Sequence, residues 1–298
     1  MENIDYLLVD GTNLIFRSFY GIKPLTNAEG FPVNAIYGFI KTLWNLEERM
    51  HPQHYLIFMD CSRSKRRKEI LPDYKANRAP TPEDLKKQIL CVKEIIPLLG
   101  YTILEQMDIE ADDLLGTWAH HVTQNQKHAC IVSADKDLMQ CVNPYVHLWI
   151  PGSFQGGWNV IDEEGVFKKM GVYPHQIVDY LALIGDSADN FAGIYGIGPK
   201  TAAQWLNRYQ SINGIFDNLN ILQPKRFRAI LQESRPLLER NQQLAQLEIS
   251  SQWIQPIQPQ SVDQNTLRNH LIKLGLNSLA NKIPQPTQQP ASQQIELF

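Results

Sequence analysis

Short apolar runs, each closed by an aspartate, recur along the first half of the chain. They occupy residues 7–10, 56–60 and 131–135. Runs of this length and β-branched content are typical of buried parallel strands, which are covered on both faces. Open α/β sheets bind ligands at the carboxyl ends of their strands, so we expect the three closing aspartates to face one cleft.

Apolar positions at helical spacing separate these runs and then dominate the rest of the chain. We predict helices over 34–50 and from about Pro82 through Leu99, with further short strands at 101–104, 146–150 and 158–161. From about Glu163 onward the pattern predicts helices near 163–170, 174–184, 199–208 and 226–246. The predicted fold is therefore α/β, with a central, mostly parallel sheet flanked by helices and a helical region after it.

These changes of pattern divide the chain into three parts. Residues 1–162 form the predicted α/β core, which includes a polar and basic segment at 61–87. Residues 163–283 form the predicted helical region. Residues 284–298 are rich in Gln and Pro, which predicts disorder, yet they end in an apolar pentapeptide at 294–298.

Composition limits the classes of protein that fit. A chain of 298 residues with 43% hydrophobic residues suits one large or two closely associated globular domains. The four cysteines form no C-x-x-C pair, so the spacing of a zinc site is absent and a reducing cytoplasm fits. The acidic N-terminus predicts no signal peptide, and no apolar stretch approaches the ~18 residues that a membrane span needs.

Charge is segregated along the chain although the formal net charge is only −3. Residues 61–87 carry nine Lys or Arg against four acids. A basic segment beside an acidic cleft suggests a polyanion that is held by one and cut by the other. A solvated basic loop is the alternative.

Eight carboxylates, with a ninth close by, have a spacing that one fold could bring together. They are Asp10, Asp60, Glu110, Asp112, Asp113, Asp135, Asp137 and Asp189, with Asp186 as the ninth. So much like charge in one cleft needs cations, and hard divalent ions prefer oxygen ligands. Two such ions roughly 3.5–4 Å apart can clamp the attacking and leaving oxygens of a phosphodiester. The alternative for any single acid is a helix cap or a solvated surface position.

The local pattern around Glu110 makes a more detailed prediction. Asp108 is a plausible N-cap for a helix that begins at Ile109 or Glu110. Spacing of i, i+3 would then put Glu110 and Asp113 on one face, with Asp112 pointing elsewhere unless the helix starts there and its side chain reaches back.

A glycine-rich segment at 193–201 superficially resembles a phosphate-binding P-loop, but Pro199 interrupts the required spacing. The better prediction is the hairpin of a helix-hairpin-helix. Gly196 and Gly198 permit close backbone approach, Pro199 opens the next helix, and amides there could hold a duplex phosphate. A structural turn at the end of a helix is the alternative.

Ten stretches together resemble the 5′-nuclease (flap endonuclease) family, and among its members the 5′→3′ exonuclease domain of bacterial DNA polymerase I. They are 8–11 with Arg17, 24–27, 36–38, 58–60, 67–69, 74–80, 110–113, 134–137, 185–190 and 196–202. The likeness runs in unbroken order over about 4–250. It implies a PIN-like core with a helical arch over 61–87, and we expect a stand-alone member because no polymerase follows. Two departures are Ala134 in place of Gly and Phe191-Ala192 in place of Ile-Pro.

The resemblance also implies roles for individual residues. The eight carboxylates would bind two Mg²⁺ ions, for which Mn²⁺ substitutes, with Asp186 at or near the second ion and Lys75 among the catalytic residues. Contacts with DNA are implied for Arg17, Arg67, Tyr74, Lys75, Arg78, Gly196, Gly198 and Lys200. A K⁺ ion could bind at the hairpin.

The function implied is that of a monomeric, cytoplasmic and nucleoid-associated 5′→3′ exonuclease and 5′-flap endonuclease in DNA replication and repair. Its substrates would be DNA with a 5′ flap or an RNA/DNA primer junction. The terminal pentapeptide, through Gln294, Ile295, Leu297 and Phe298, resembles peptides that dock on the bacterial sliding clamp, although a chance terminus is the alternative.

Two other classes of function are weighed against this one. A non-catalytic DNA-junction binder would be favoured by loss of metal-binding acids, and none of the acids is missing. A phosphatase of the haloacid dehalogenase type needs Asp-x-Asp, but Leu8 stands where its nucleophile would be. Triad hydrolases lack support because no G-x-S-x-G surrounds a serine.

Overall fold

A six-stranded sheet organises the computed structural model of the chain, which describes residues 4–152, 157–257 and 262–284. Its strands are β1 (Tyr6–Asp10), β2 (His54–Phe58), β3 (Thr102–Leu104), β4 (Ala129–Val132), β5 (Val146–Pro151) and β6 (Trp158–Ile161). They lie in the order β3-β2-β1-β4-β5-β6, with β1 to β5 parallel and β6 antiparallel to β5. The predicted α/β fold with a mostly parallel sheet is confirmed.

Helices cover both faces of this sheet and continue beyond it. They are α1 (Gly11–Gly21), α2 (Asn34–Met50), α3 (Lys65–Ile70), α4 (Glu83–Leu98), α5 (Ala111–Gln124), α6 (Glu163–Met170), α7 (Ile177–Ile184), α8 (Pro199–Tyr209), α9 (Ile212–Asp217), α10 (Phe227–Glu233), α11 (Arg235–Ala245), α12 (Gln264–Lys273) and α13 (Asn277–Ala280). A short hairpin of β7 (Gly185–Asp186) and β8 (Phe191–Ala192) lies between α7 and α8. Within the described ranges, no helix is long and apolar enough to cross a bilayer.

Alternation along the strands divides the apolar core into two layers. Leu8 and Ile131 face a layer that also contains the helical region, whereas Leu7 and Val132 face a layer that contains α2 and α4. Successive side chains of a strand point to opposite faces, so a strand that is buried on both sides must be apolar throughout. This is why the runs read from the sequence are continuous rather than alternating.

The last described helices return to the α/β core. Leu267 and Leu271 of α12 belong to the same buried cluster as Val92 and Ile95 of α4. The sequence grouped residues up to 283 with the helical region, whereas α12 and α13 pack on the opposite face of the sheet from α7 and α11. Only long-range packing distinguishes these two arrangements.

Two other local features differ from the sequence prediction. The helix predicted over 226–246 is divided into α10 and α11, and α11 begins at Arg235 with Pro236 in its first turn. Proline lacks the N–H that a continuous helix needs and is tolerated in a first turn. Helix α1 was not predicted, and it starts where Asp10 accepts a hydrogen bond from the Asn13 N–H at 3.0 Å.

Candidate metal centre

The carboxyl ends of β1 and β4 meet at one edge of the sheet through a shared hydroxyl. Ser133 follows β4, and its Oγ donates to Asp10 Oδ2 at 2.8 Å. The same Oγ accepts from the Asp135 N–H at 3.0 Å. The strand order turns at this point, since β2 and β3 lie on one side of β1 and β4 and β5 on the other. Such a reversal is where open α/β sheets form a crevice.

Asp60 brings β2 and helix α5 to the same edge. Its Oδ1 accepts from the Ala111 N–H at 2.8 Å, so a strand-end carboxylate caps the helix that carries the next acids. The prediction that Asp108 caps this helix was therefore wrong. Asp108 has a left-handed backbone with φ of 65°, and the helix begins at Ala111, one or two residues later than expected.

The first acid cluster consists of Glu110, Asp112 and Asp113, whose carboxylates offer oxygens within 4.8 Å of one another. Asp112 joins the cluster from the first turn of α5, which begins at Ala111, so the structure lies closer to the alternative of a helix start at this position than to an Asp112 that points elsewhere. A cavity of about 220 Å³ adjoins it, lined among others by Glu110, Asp112, Asp10, Asp60 and Asp135. Acids at the carboxyl ends of β1, β2 and β4 and acids at the start of α5 therefore share one open cleft.

The second acid cluster consists of Asp137, Asp186 and Asp189, which also offer oxygens within 4.8 Å of one another. Asp137 follows β4 and donates its N–H to Asp135 Oδ1 at 2.9 Å, which connects the cluster to the sheet edge. Asp186 ends β7 and accepts from the Ala188 N–H at 2.9 Å. All nine predicted acids thus lie in two clusters or at the cavity beside them.

Each cluster contains a buried carboxylate oxygen that accepts no hydrogen bond. Among the described residues these are Oδ1 of Asp112, which lies 3.7 Å from Arg67 Nη1, and Oδ1 of Asp137. A buried polar atom without a partner is costly and calls for an explanation such as an ion or water. Clustered carboxylate oxygens are the donor set that Mg²⁺ and related hard cations prefer, so the residues present fit divalent metal ions.

Electrostatics at the site follow the same logic. Burial raises the pKa of Asp10 from 3.8 to about 7. The hydrogen bond from the Asn13 N–H opposes this rise, whereas the charges of Asp60 and Asp135 add to it. Burial also raises the pKa of Asp112 and of Asp137, with neighbouring carboxylates adding to it. Without a cation, the protein therefore holds these acids against their own repulsion.

Two cations from the basic segment partly neutralise the first cluster. Arg67, which is 1% exposed, donates to Glu110 Oε2 at 2.9 Å and forms a bidentate pair with Asp113 at 2.6 and 2.7 Å. Nζ of Lys75 donates to Glu110 Oε1 at 2.9 Å. Burial alone would raise the pKa of Glu110, but the positive charges of Lys75 and Arg67 outweigh burial and lower this pKa below its usual value.

The turn at 72–78 covers the second cluster. The hydroxyl of Tyr74 lies 2.8 Å from Asp189 Oδ2, and Arg78 Nη2 donates to Asp189 Oδ1 at 2.8 Å. The Lys75 N–H donates to the Asp189 carbonyl at 3.1 Å. The predicted arch over 61–87 thus consists of α3, this turn and the start of α4. Tyr74 and Arg67 are buried in it, so neither side chain has a face open to DNA in this conformation.

The other predicted DNA-binding residues lie apart from the acids. Arg17 donates to the Gly152 carbonyl and lines a separate cavity of about 240 Å³. Gly196, with φ of +81°, and Gly198 lie in the loop before α8, and Lys200 is exposed in the first turn of α8. The clamp-binding residues Gln294, Ile295, Leu297 and Phe298 lie outside the described residues.

Sequence reasoning missed four side chains at the site. Thr12, Asn13 and Phe16 of α1 line the cavity, and Ser133 connects Asp10 to Asp135. Counted from Thr12, the three α1 residues are spaced i, i+1 and i+4. This spacing would have put them on one side of a helix, had a helix been predicted after Asp10. Phe16 sets an aromatic ring beside the carboxylates.

Comparison with known proteins identifies related sequences over most of the chain. A family model for the 5′-3′ exonuclease N-terminal resolvase-like domain matches residues 5–171, and one for the 5′-3′ exonuclease C-terminal SAM fold matches 172–266. A 5′-3′ exonuclease of Aquifex aeolicus is 37% identical over 279 residues, which cover 93% of this chain and 94% of the relative. A thermostable DNA polymerase I of Thermus thermophilus is 37% identical over 281 residues, but the match covers only 33% of the polymerase.

Solved structures share the fold at lower sequence identity. The T5 D15 protein co-crystallised with metal ions has a TM-score of 0.66 at 20% identity, covering 93% of this chain and 96% of that one. The catalytic core of Rad2 in complex with DNA substrate has a TM-score of 0.64 at 15% identity, covering 94% and 91%. These likenesses support the sheet, the helical region and their arrangement.

Proposed function

The chain belongs to the 5′-3′ exonuclease family, and we propose that it acts as a structure-specific 5′→3′ exonuclease and 5′-flap endonuclease. As a member of that family it is a nuclease, and hence a hydrolase of phosphodiester bonds. The observation that carries the proposal is the pair of acid clusters, each with one buried carboxylate oxygen that accepts no hydrogen bond from the described residues. Two adjacent ion sites suit the in-line displacement of a phosphodiester.

The acids divide into two ligand sets in this proposal. Around the cavity the ligands are Asp10, Asp60, Glu110, Asp112 and Asp135, with Asp113 behind them, and the second set is Asp137, Asp186 and Asp189. Two Mg²⁺ ions, or Mn²⁺ in their place, would stabilise negative charge on the phosphate and make a bound water more acidic. The carboxylates themselves hold the geometry and exclude bulk water from the buried side.

Positioning of the 5′ end falls to the turn at 72–78 and to α1. Arg78, whose side chain is half-exposed at Asp189, offers positive charge at the rim of the acids, and the buried Lys75, paired with Glu110, lines the cavity itself. Such charge attracts a phosphate backbone without reading sequence. The Phe16 ring beside the cavity could stack on a base of any sequence.

The glycine loop before α8 is proposed to hold duplex DNA. Gly196 and Gly198 leave the backbone accessible, Pro199 opens α8, and Lys200 adds an exposed charge. Backbone amides at a helix N-terminus bind phosphate well, and loop carbonyls there could bind K⁺. Arg17 would contact the backbone at a separate position.

The biological setting is proposed from the relatives. A structurally similar T5 D15 flap endonuclease has been solved in a pseudo-enzyme–product complex with DNA and metal ions. The relatives of similar sequence include DNA polymerase I. We infer that this chain removes flaps or RNA primers in the cytoplasm as a monomer, at junctions in replication and repair. Docking on a sliding clamp through residues 294–298 stays a prediction.

Cleavage of a labelled 5′-flap duplex tests the proposal. The protein is incubated with the duplex and Mg²⁺, beside an EDTA control and an Asp135→Asn variant whose DNA binding is measured in parallel. Cutting near the junction that disappears in both controls, while the variant still binds, supports the nuclease. Tight binding without cutting in either Mg²⁺ or Mn²⁺ would instead favour a junction-binding protein.

A further inference from the structure

One buried guanidinium, that of Arg67, uses all five of its N–H donors. Nη1 donates to Glu110 and to Asp113, and Nη2 donates to the other oxygen of Asp113. Nε donates to the Leu244 carbonyl at 3.0 Å, and Nη2 also reaches the Gln246 carbonyl at 3.4 Å. Five donors in a rigid, planar fork are a property of arginine alone among side chains.

The carbonyls on the far side of Arg67 belong to the end of α11. The same helix carries Asn241, which is fully buried and donates through Nδ2 to the carbonyls of Ala182 at 3.1 Å and Ala192 at 2.8 Å. Ala192 ends β8, directly before the glycine loop. Arg67 therefore lies between the first acid cluster and the helix that supports the hairpin.

We propose that Arg67 is a positioning residue that fixes Glu110 and Asp113 against the end of α11 and so gives the first acid cluster the shape that a divalent cation requires. This inference rests on the proposed function of that cluster. It assigns Arg67 to the acids rather than to DNA, because the side chain is buried and its donors are already used.

The contacts of Asp113 explain how the effect reaches the cavity. Its Oδ1 accepts from Arg67 and from the Glu248 N–H at 2.8 Å, while its Oδ2 accepts from Arg67 at 2.6 Å. Both oxygens are thus held from the protein side. Asp112 is the preceding residue in the first turn of α5, so fixing that turn also fixes Oδ1 of Asp112, which accepts no hydrogen bond and lies 3.7 Å from Arg67 Nη1.

A simpler role for Arg67 would be that of a counter-ion, which only reduces repulsion among the acids. The two roles predict opposite effects on metal binding. A counter-ion competes with the metal, so its removal would strengthen cation binding. A positioning residue maintains the ligand geometry, so its removal weakens cation binding, and supporting contacts of this kind typically change metal affinity by about 10–100-fold.

Neighbouring Arg66 provides a matched control. Its Nη1 and Nη2 donate to the carbonyls of Gln243 and Gln246 at 2.9 and 3.0 Å, and its Nε pairs with Glu248 at 3.1 Å. Arg66 and Arg67 therefore both bind the end of α11, but the ion pairs to Glu110 and Asp113 belong to Arg67. Any effect of loosening α11 should appear in variants of both arginines.

Binding of Mn²⁺ to the full chain without DNA, followed by the electron paramagnetic resonance signal of free Mn²⁺, tests the inference. Arg67→Lys retains the charge but loses the fork, and Arg67→Ala loses both. We expect both variants to bind Mn²⁺ about 10–100-fold more weakly than the wild type. Arg66→Ala should retain wild-type affinity.

Wild-type affinity in Arg67→Lys, or equal or tighter binding in Arg67→Ala, would overturn the positioning role and leave a counter-ion. An equal loss in Arg66→Ala would also overturn it, since the effect would then come from α11. Circular dichroism monitors folding, and Arg67→Lys decides the matter if Arg67→Ala does not fold. If the wild type itself binds no Mn²⁺, the proposed function fails together with this inference. If the wild type cuts flaps and Arg67→Lys binds Mn²⁺ with unchanged affinity, only the inference is overturned.

Discussion

The hydroxyl of Tyr74 lies 2.8 Å from Oδ2 of Asp189, although 115 positions separate the two residues along the chain. This contact joins the turn at 72–78 to the second acid cluster and buries the tyrosine to 1% exposure. Because the hydroxyl also lies 3.1 Å from Glu110 Oε2, one side chain bridges both clusters. The basic segment is thus part of the acid site rather than a loop beside it.

Replacing Tyr74 with Phe should destabilise the protein without changing its fold. The variant removes the single O–H donor that the carboxylates of Asp189 and Glu110 share, and a hydrogen bond to a charged group is worth about 1.5–3 kcal/mol. We expect a loss of that size in the free energy of unfolding, measured by urea denaturation in EDTA. Tyr195→Phe is the control, since Tyr195 is 94% exposed and should show no change. Equal stability of the two variants would contradict a bridging role for Tyr74.

The raised pKa of Asp10 predicts how stability depends on pH in the absence of metal. Its pKa rises from 3.8 to about 7 on folding, because of burial and then of neighbouring acids. Between these two pH values the folded state therefore keeps a proton on Asp10 that the unfolded state has released. Stability linked to this group is present below about pH 4 and is lost as pH rises through about 7. The shift of about three units corresponds to at most about 4 kcal/mol.

Asp10→Asn isolates this contribution because asparagine can still cap α1 through the Asn13 N–H. In EDTA the variant should be more stable than the wild type at pH 8, and the difference should disappear toward pH 4. Urea denaturation across that range gives the measurement. A variant that is less stable than the wild type at pH 8 would show that Asp10 is not held against its own ionisation.

Much of the site could be predicted from sequence because each acid follows a feature that sequence encodes. Asp10, Asp60 and Asp135 close apolar runs, and the carboxyl ends of parallel strands share one edge of a sheet. The burial of Arg67 could not be predicted. In a basic run it resembles a solvated charge, and its carboxylate partners lie 43 and 46 positions away.

The prediction of the residue that caps α5 was wrong for the same reason, since the partner lies far away in the sequence. A local rule selected Asp108, whereas the cap comes from Asp60, 51 positions before Ala111, from whose N–H it accepts a hydrogen bond. Helix α12 likewise joins the core through contacts with α4, far away in the chain, and α13 packs on α12. Local rules therefore predicted the elements and the acids, while the partners that hold them depend on tertiary packing.

Two glycines near the hairpin should differ sharply when replaced by alanine. A Cβ on Gly193 would lie 2.2 Å from the Ile184 carbonyl carbon and 2.4 Å from the Gly185 nitrogen, so backbone must move. A Cβ on Gly198 would meet no described atom within 4 Å. We expect Gly193→Ala to lose at least about 1–3 kcal/mol of stability, as overpacked sites do.

Gly198→Ala should instead remain nearly as stable as the wild type and bind duplex DNA more weakly, because its Cβ would stand between the loop amides and a phosphate. Thermal unfolding and fluorescence anisotropy with a labelled duplex measure the two properties. Wild-type duplex affinity in Gly198→Ala would argue against the loop as the duplex contact.

Lys200 should contribute to DNA binding through charge alone, and salt dependence measures that contribution. Each phosphate that a protein neutralises adds about 0.9 to the slope of log affinity against log salt concentration. Lys200→Ala should therefore weaken duplex binding and reduce that slope by about 0.9, measured by anisotropy in EDTA between about 50 and 200 mM salt.

Lys127→Ala is the matched control. Lys127 precedes β4 and pairs with Asp5 at the amino ends of the strands, on the opposite edge of the sheet from the acids, so its removal should leave the slope unchanged. An equal change in both variants would mean that the basic charge acts as a diffuse field, whereas a change confined to Lys200 would assign a phosphate to the first turn of α8.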